Sequence, residues 1–154
     1  MIEFLFSTGL RISQMLGLTV KQFSPDNAHF VTRSVGKGGG DHLIEVKKEL
    51  FNRVREFFAG KVYLFEQETG EPFRRERITM RIKRASERIL GQSVGSHVMR
   101  HSIATEIFKQ TKDILKTADL LGHKDPSVTA RLYIHTGISR KEKDDIVSEA
   151  LGQD

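Results

Sequence analysis

A mainly α domain with a small antiparallel β-sheet is what this chain predicts. Most of it repeats apolar residues at intervals of three and four, the spacing that lines one face of a helix. Two short runs instead mix β-branched and alternating apolar residues on either side of a glycine-rich VGKGGGD, the pattern of a hairpin. At 154 residues the chain has the length of one domain with one core.

Taken in order, Ile2, Leu5 and Phe6 read as the end of a helix that begins earlier, with Gly9 as its stop. Ile12, Met15, Leu16 and Leu18 predict a short second helix, which puts Arg11 at the tight turn between the two. HFVTRSV and HLIEV form the hairpin, with Lys37 at its tip. Leu50, Val54, Phe57 and Phe58 predict an amphipathic helix ending at Gly60, and VYLFEQ a brief extended piece that completes the small sheet.

Between Arg74 and Leu90, Ile78, Ile82, Ala85 and Ile89 make one apolar helix stripe. Arg77, Arg81, Arg84 and Arg88 follow one residue behind, about 100° round the helix, as a basic stripe facing solvent or phosphates. Ile103, Ala104, Ile107 and Phe108 mark a further helix. Ile114, Leu115, Ala118 and Leu121 mark another, closing at Gly122, and Ser127 to Ile134 a third after Pro126, with Tyr133 near its end. The tail 138–154 carries a sparse apolar face, Ile146, Val147, Ala150 and Leu151, that would dock on its own domain or on a neighbour.

The net charge of +5 suits a polyanionic partner such as DNA. The absence of cysteine excludes disulfides and thiolate metal sites, and fits a reducing, cytoplasmic address. MIEFLFSTGL is apolar but short and carries Glu3, so it predicts neither a signal peptide nor a membrane span. No phosphate loop and no G-x-S-x-G elbow is present, which leaves nucleotide hydrolysis and serine hydrolysis without a foothold.

Four separated segments do carry a chemistry: TGLRIS around Arg11, VGKGG around Lys37, SHVMRHS around His97 and Arg100, and LGHKDPSVTARLYIH with His123 and Tyr133. A phosphodiester repels nucleophiles, and its pentavalent transition state gathers further negative charge on the non-bridging oxygens. Fixed guanidinium groups, always charged and able to fork onto two oxygens, answer that need, and Arg11 and Arg100 are the candidates. Tyr133, with an ordinary pKa of ~10, requires nearby positive charge or a proton acceptor before it can attack, and His97 and His123 can supply both. Lys37 on a mobile tip suits a general acid for the leaving alkoxide. A competing reading sets His97 and His101, one helical turn apart, with His123 or Asp119 around zinc, although Val98 follows His97 where H-E-x-x-H has glutamate.

Together these segments resemble the catalytic domain of the tyrosine recombinases, the phage integrase family, from Thr8 to His135. The resemblance implies that Arg11 and Arg100 clamp the scissile phosphate, that Lys37 is the hairpin lysine, that His97 and His123 are the two histidines and that Tyr133 is the nucleophile. It implies a 3′-phosphotyrosyl intermediate on double-stranded DNA with no metal, nucleotide or other cofactor, tetramers on two sites, and a C-terminal segment reaching into the adjacent protomer. It implies further that residues 1–154 are the catalytic domain alone, without the core-binding domain that precedes it in relatives. Gln14 departs from an acidic residue common in the family, which predicts a weaker support for Arg11, and Gly40, Asp41 and His42 replace a stretch that is often basic. Two other functions share these residues: a non-catalytic DNA-binding or dimerisation module, and a topoisomerase of type IB that relaxes DNA without synapsis.

Overall fold

The structure, a computed structural model, describes residues 1–35, 41–123 and 125–133, with side chains for 1–33, 43–96, 98–123, 125–127, 129 and 130. Its elements are α1 (Ile2–Thr8), α2 (Ile12–Leu16), a 3-10 turn (Val20–Gln22), β1 (Ser24–Asp26), β2 (His29–Val35), β3 (Asp41–Lys47), α3 (Lys48–Phe58), α4 (Arg75–Leu90), α5 (Ser96–Thr111), α6 (Ile114–Leu120) and α7 (Pro126–Tyr133). The expected class, helices around a small antiparallel sheet, is the observed one.

The predicted hairpin is β2 and β3, in register from His29 opposite Lys47 to Val35 opposite Asp41. The third strand differs from expectation. β1, not VYLFEQ, pairs with the outer edge of β2, Ser24 facing Val31. Tyr63 makes only an isolated bridge to Thr19. The cause is Glu66, whose carboxylate accepts from the amides of Lys61 (3.0 Å), Val62 (2.7 Å) and Tyr63 (2.8 Å). Those three N–H groups are thereby curled into a loop and withheld from a ladder.

Most of the core lies between the sheet and α1 to α4. Ile44 and Val46, on one face of β3, belong to the same buried cluster as Phe4, Met15, Leu50, Phe51 and Phe65. Phe65 meets Phe4 edge-on at 5.1 Å between ring centres and Phe58 at 5.2 Å, contacts worth about 0.5–1.5 kcal/mol each beyond the area they bury. A smaller cluster, Ala104 and Leu121 with Phe108 and Ile114 against them, joins α5 to α6.

Four apolar stripes are narrower than predicted, the first being that of α1, where Ile2 and Phe6 are exposed and Phe4 and Leu5 form the buried arc. Phe57 is 81% exposed and rests against its neighbour Phe58, because the buried arc of α3 is Leu50, Phe51 and Val54. Ile89 is 78% exposed, since the last turn of α4 projects beyond the core that holds Ile78 and Ile82, and Leu115 sits outside the arc that buries Ala118 and Leu121. The end of α3 also differs: Ala59, not Gly60, takes the left-handed cap at φ 47°. Gly60 instead serves close approach, for a Cβ there would stand 2.1 Å from the carbonyl oxygen of Tyr63.

Candidate active site

Gly9 ends α1 in the left-handed conformation, φ 61°, and turns the chain so that Arg11 becomes the N-cap of α2. Gln14 does support this turn: its side-chain oxygen accepts from the Arg11 backbone N–H at 3.1 Å, leaving the guanidinium outside that bond. On the other side of the site, α5 begins at Ser96 after Gly95 and carries Arg100 one turn in.

Arg100 is buried, and among the described residues it is not paired with a carboxylate. Its Nη1 donates to the carbonyl of Gly9 and its Nη2 to the carbonyl of Leu121. These oxygens lie just past the C-terminal ends of α1 and α6, where unsatisfied carbonyls concentrate negative partial charge. Burial, and then the positive charge of Arg11, lower the Arg100 pKa to about 10, so the group remains a cation at neutral pH but a destabilised one. An anion placed between the two guanidiniums would relieve both effects.

Arg100 Nη2 also lies 3.2 Å from His123 Nε2. A guanidinium has only donors, so Nε2 accepts, and the ring proton sits on Nδ1, which donates to Thr129 Oγ1 at 2.8 Å. Burial, Arg100, Arg11 and His101 together push His123 down to about 4. The ring is therefore neutral at pH 7 and brings no positive charge, and its Nε2 lone pair is engaged by Arg100. Thr129, which takes the Nδ1 proton of the tautomer that Arg100 imposes, is fully buried on α7, four residues before Tyr133.

Arg11, Ile12, Ser13, Arg75, Ser96 and Arg100 line a cleft of about 60 Å³, well above the ~10–15 Å³ that one water needs. No acidic residue is among them. The N-terminal end of α5 opens onto the cleft through Ser96, adding the positive end of a 16-residue helix.

The structure thus brings Arg11, Arg100 and His123 together. It places His97 on the first turn of α5 and Tyr133 at the last residue of α7, with both side chains outside the described residues, where Lys37 and the tail 138–154 also lie. Arg77, Arg81, Arg84 and Arg88 are all exposed on α4, and none of them lines the cleft. Arg75 does, and sequence reasoning missed it, because it stands among Arg74, Arg77 and the stripe with nothing to single it out. Among the described residues no three His, Asp or Glu side chains gather closely enough to hold a metal ion, and the alternative zinc set depends on His97. No helix of the described residues is long and apolar enough to cross a membrane.

Comparison with known proteins agrees with this geometry. The model of the phage integrase family matches residues 1–140, a span that holds every segment of the constellation. The chain belongs to the phage integrase family. Tyrosine recombinase XerC of Pseudomonas entomophila is 30% identical over 143 residues, and that of Stutzerimonas stutzeri 28% over 144. These matches cover 87% and 88% of this chain but 46% of each relative, so the chain spans about half the length of the XerC proteins it matches. The XerH site-specific recombinase bound to difH substrate shares the fold at a TM-score of 0.77 over 96% of this chain and 44% of that one, with 23% identity. The Tn1549 transposon integrase in complex with transposon right end DNA does so at 0.70 over 98% and 57%, with 22% identity.

Proposed function

We propose that this chain is the strand-cleaving part of a site-specific DNA recombinase. The observation that supports it most is the buried guanidinium of Arg100, held by two carbonyls beside a cleft that it shares with Arg11. Preorganised donors of this kind need no rearrangement when charge develops on a bound phosphate, the condition under which they lower a barrier most.

In this reading Arg11 and Arg100 fork onto the non-bridging oxygens of the scissile phosphate of double-stranded DNA. The Tyr133 hydroxyl oxygen attacks phosphorus, its proton passing to a histidine, His97 or, once Nε2 is released from Arg100, His123. The bond from phosphorus to the 5′ oxygen breaks, and Lys37 delivers a proton to the departing alkoxide. A 3′-phosphotyrosyl link and a free 5′-hydroxyl result; attack by a partner strand's 5′-hydroxyl reverses the chemistry and rejoins DNA. The balance closes without metal or nucleotide. Assembly as a tetramer on paired sites, with the tail 138–154 reaching a neighbour, and a cytoplasmic location beside the chromosome complete the reading.

A duplex carrying a 5′-bridging phosphorothiolate at the scissile position tests it. The expected result is a covalent protein–DNA adduct with the natural chain and none with Tyr133→Phe. Salt-sensitive DNA binding without any adduct would leave a binding module only, and relaxation of a supercoiled plasmid without a specific site would indicate topoisomerase action instead.

A further inference from the structure

Four side chains of α7 are described, those of Pro126, Ser127, Thr129 and Ala130, and among them Thr129 alone is buried. A buried hydroxyl costs free energy unless it is bonded, so valine, of the same shape, would suit this position if packing were all it required. The Thr129 oxygen instead accepts from His123 Nδ1 at 2.8 Å. The buried Thr8 and Thr117 differ, for their hydroxyls donate to the carbonyls of Phe4 and Asp113, one turn back along their own chain.

The Thr129 bond closes a line of contacts through three helices. Arg100 on α5 reaches the His123 ring at Nε2, 3.2 Å away. The His123 backbone is tied to the end of α6, its N–H donating to the Ala118 carbonyl at 2.9 Å. From the other ring nitrogen the line passes to Thr129 on α7. Thr129 and Tyr133 are four residues apart, about 40° of rotation and about 6 Å of rise, which puts both positions on one face of the helix. A helix of eight residues does not hold itself in water, so its orientation is set by what it packs against and bonds to.

We propose that Thr129 is a positioning residue: its bond to the His123 ring fixes the rotation of α7, and with it the seat from which Tyr133 approaches the anion cleft. The inference deepens the proposed function and rests on its assignment of Tyr133 as nucleophile. The bond also suits the proton transfer. An imidazolium has only donors, so a His123 ring that takes the tyrosine proton at Nε2 must leave Arg100, while its Nδ1–H stays on Thr129. Thr129 thereby keeps ring and helix together through the step in which the Arg100 contact is lost.

Two variants separate the bond from the packing. Thr129→Val keeps the branched shape and removes the oxygen, whereas Thr129→Ser keeps the oxygen and removes the methyl group. On the 5′-bridging phosphorothiolate duplex, Thr129→Val should form adduct ~10²-fold more slowly, the loss that a misplacement of about 1 Å brings. Thr129→Ser should stay within a few-fold of the natural chain, and DNA affinity should be unchanged in both. The opposite order, Thr129→Val unimpaired and Thr129→Ser slow, overturns the proposal and leaves a packing residue. So does equal adduct formation in all three proteins.

A second arm needs neither DNA nor cleavage. Ring nitrogen chemical shifts of His123 in the natural chain should show the proton on Nδ1, a measurement that holds whatever the stability of the variants. Hydrogen exchange of the amides from Ala130 to Tyr133 should quicken in Thr129→Val and not in Thr129→Ser, with α6 unchanged in both. A proton on Nε2, or equal exchange in the two variants, overturns the anchoring. A natural chain that forms no adduct while this arm behaves as expected would sink the cleavage reading and leave α7 anchored through Thr129.

Discussion

Glu66 and Arg100 are both ions taken out of water, and the backbone satisfies both, yet their surroundings differ in kind. Three amides within five residues converge on Glu66 and hold its carboxylate below the ordinary range, the amides of Lys61, Tyr63 and Val62 being the main causes. Its charge is welcome where it is. Arg100 is bonded to carbonyls distant in sequence, at Gly9 and Leu121, and its charge is opposed by burial and by Arg11. A buried ion that is content closes a loop, whereas a buried ion beside a like charge and an open cleft is waiting for a counter-ion. Burial opposes both charges; at Glu66 the converging amide donors outweigh it, whereas at Arg100 it is the larger cause and the like charge of Arg11 adds to it.

That contrast can be broken at its functional end first. Arg100→Lys should lower adduct formation by ~10³-fold, since an ammonium cannot span two carbonyls and a phosphate as a planar fork does. Adduct formation within a few-fold of the natural chain would deny Arg100 its role. Arg11→Ala, at a half-exposed position, should cost ~10²-fold in cleavage with little change in thermal midpoint, which separates it from a structural arginine.

At the structural end the expectation inverts. Glu66→Ala leaves three amides without their acceptor, so the urea midpoint should fall while cleavage per folded molecule holds. A cleavage defect without loss of stability would mean that the Lys61–Tyr63 loop takes part in the site.

The smallest effect concerns pH. His123 is held at about 4 against an ordinary 6.5. Between those values the unfolded chain takes up a proton that the folded chain refuses, so stability should decline as pH falls from 6.5 toward 4. With part of the ring open to solvent the loss is about 1–2 kcal/mol. His123→Gln should flatten that part of the stability curve, and an unaltered slope would place the acid sensitivity elsewhere.

The sequence disclosed the side chains of this site better than what holds them. Arg11, Arg100 and His123 were legible because each stands in a short motif whose residue types match one chemistry. The carbonyls of Gly9 and Leu121 were not, since every residue carries one and only the fold says which face inward. Thr129 read as ordinary helix, and its hydroxyl acquires meaning only from the His123 ring beside it. β1 was equally silent: Ser24, Pro25 and Asp26 are exposed, polar or unable to donate, and proline is tolerated there because the strand forms the sheet's edge. Helix periods, by contrast, located α2 to α7 well and overstated burial where a residue lay outside the buried arc, as Phe57 and Leu115 do, or where the helix outran its neighbours, as at Ile89.

Gly9 has no side chain, yet its carbonyl is one of the two that aim Arg100, and its left-handed turn brings Leu121 within 3.3 Å of where a methyl group would be. Replacing it with alanine would strain the turn and press on the second acceptor's own residue, disturbing both supports through a single hydrocarbon branch. A homologue could therefore keep all six named functional side chains and still be disarmed. Motif searches would pass it as intact, and the covalent-trapping assay would expose it.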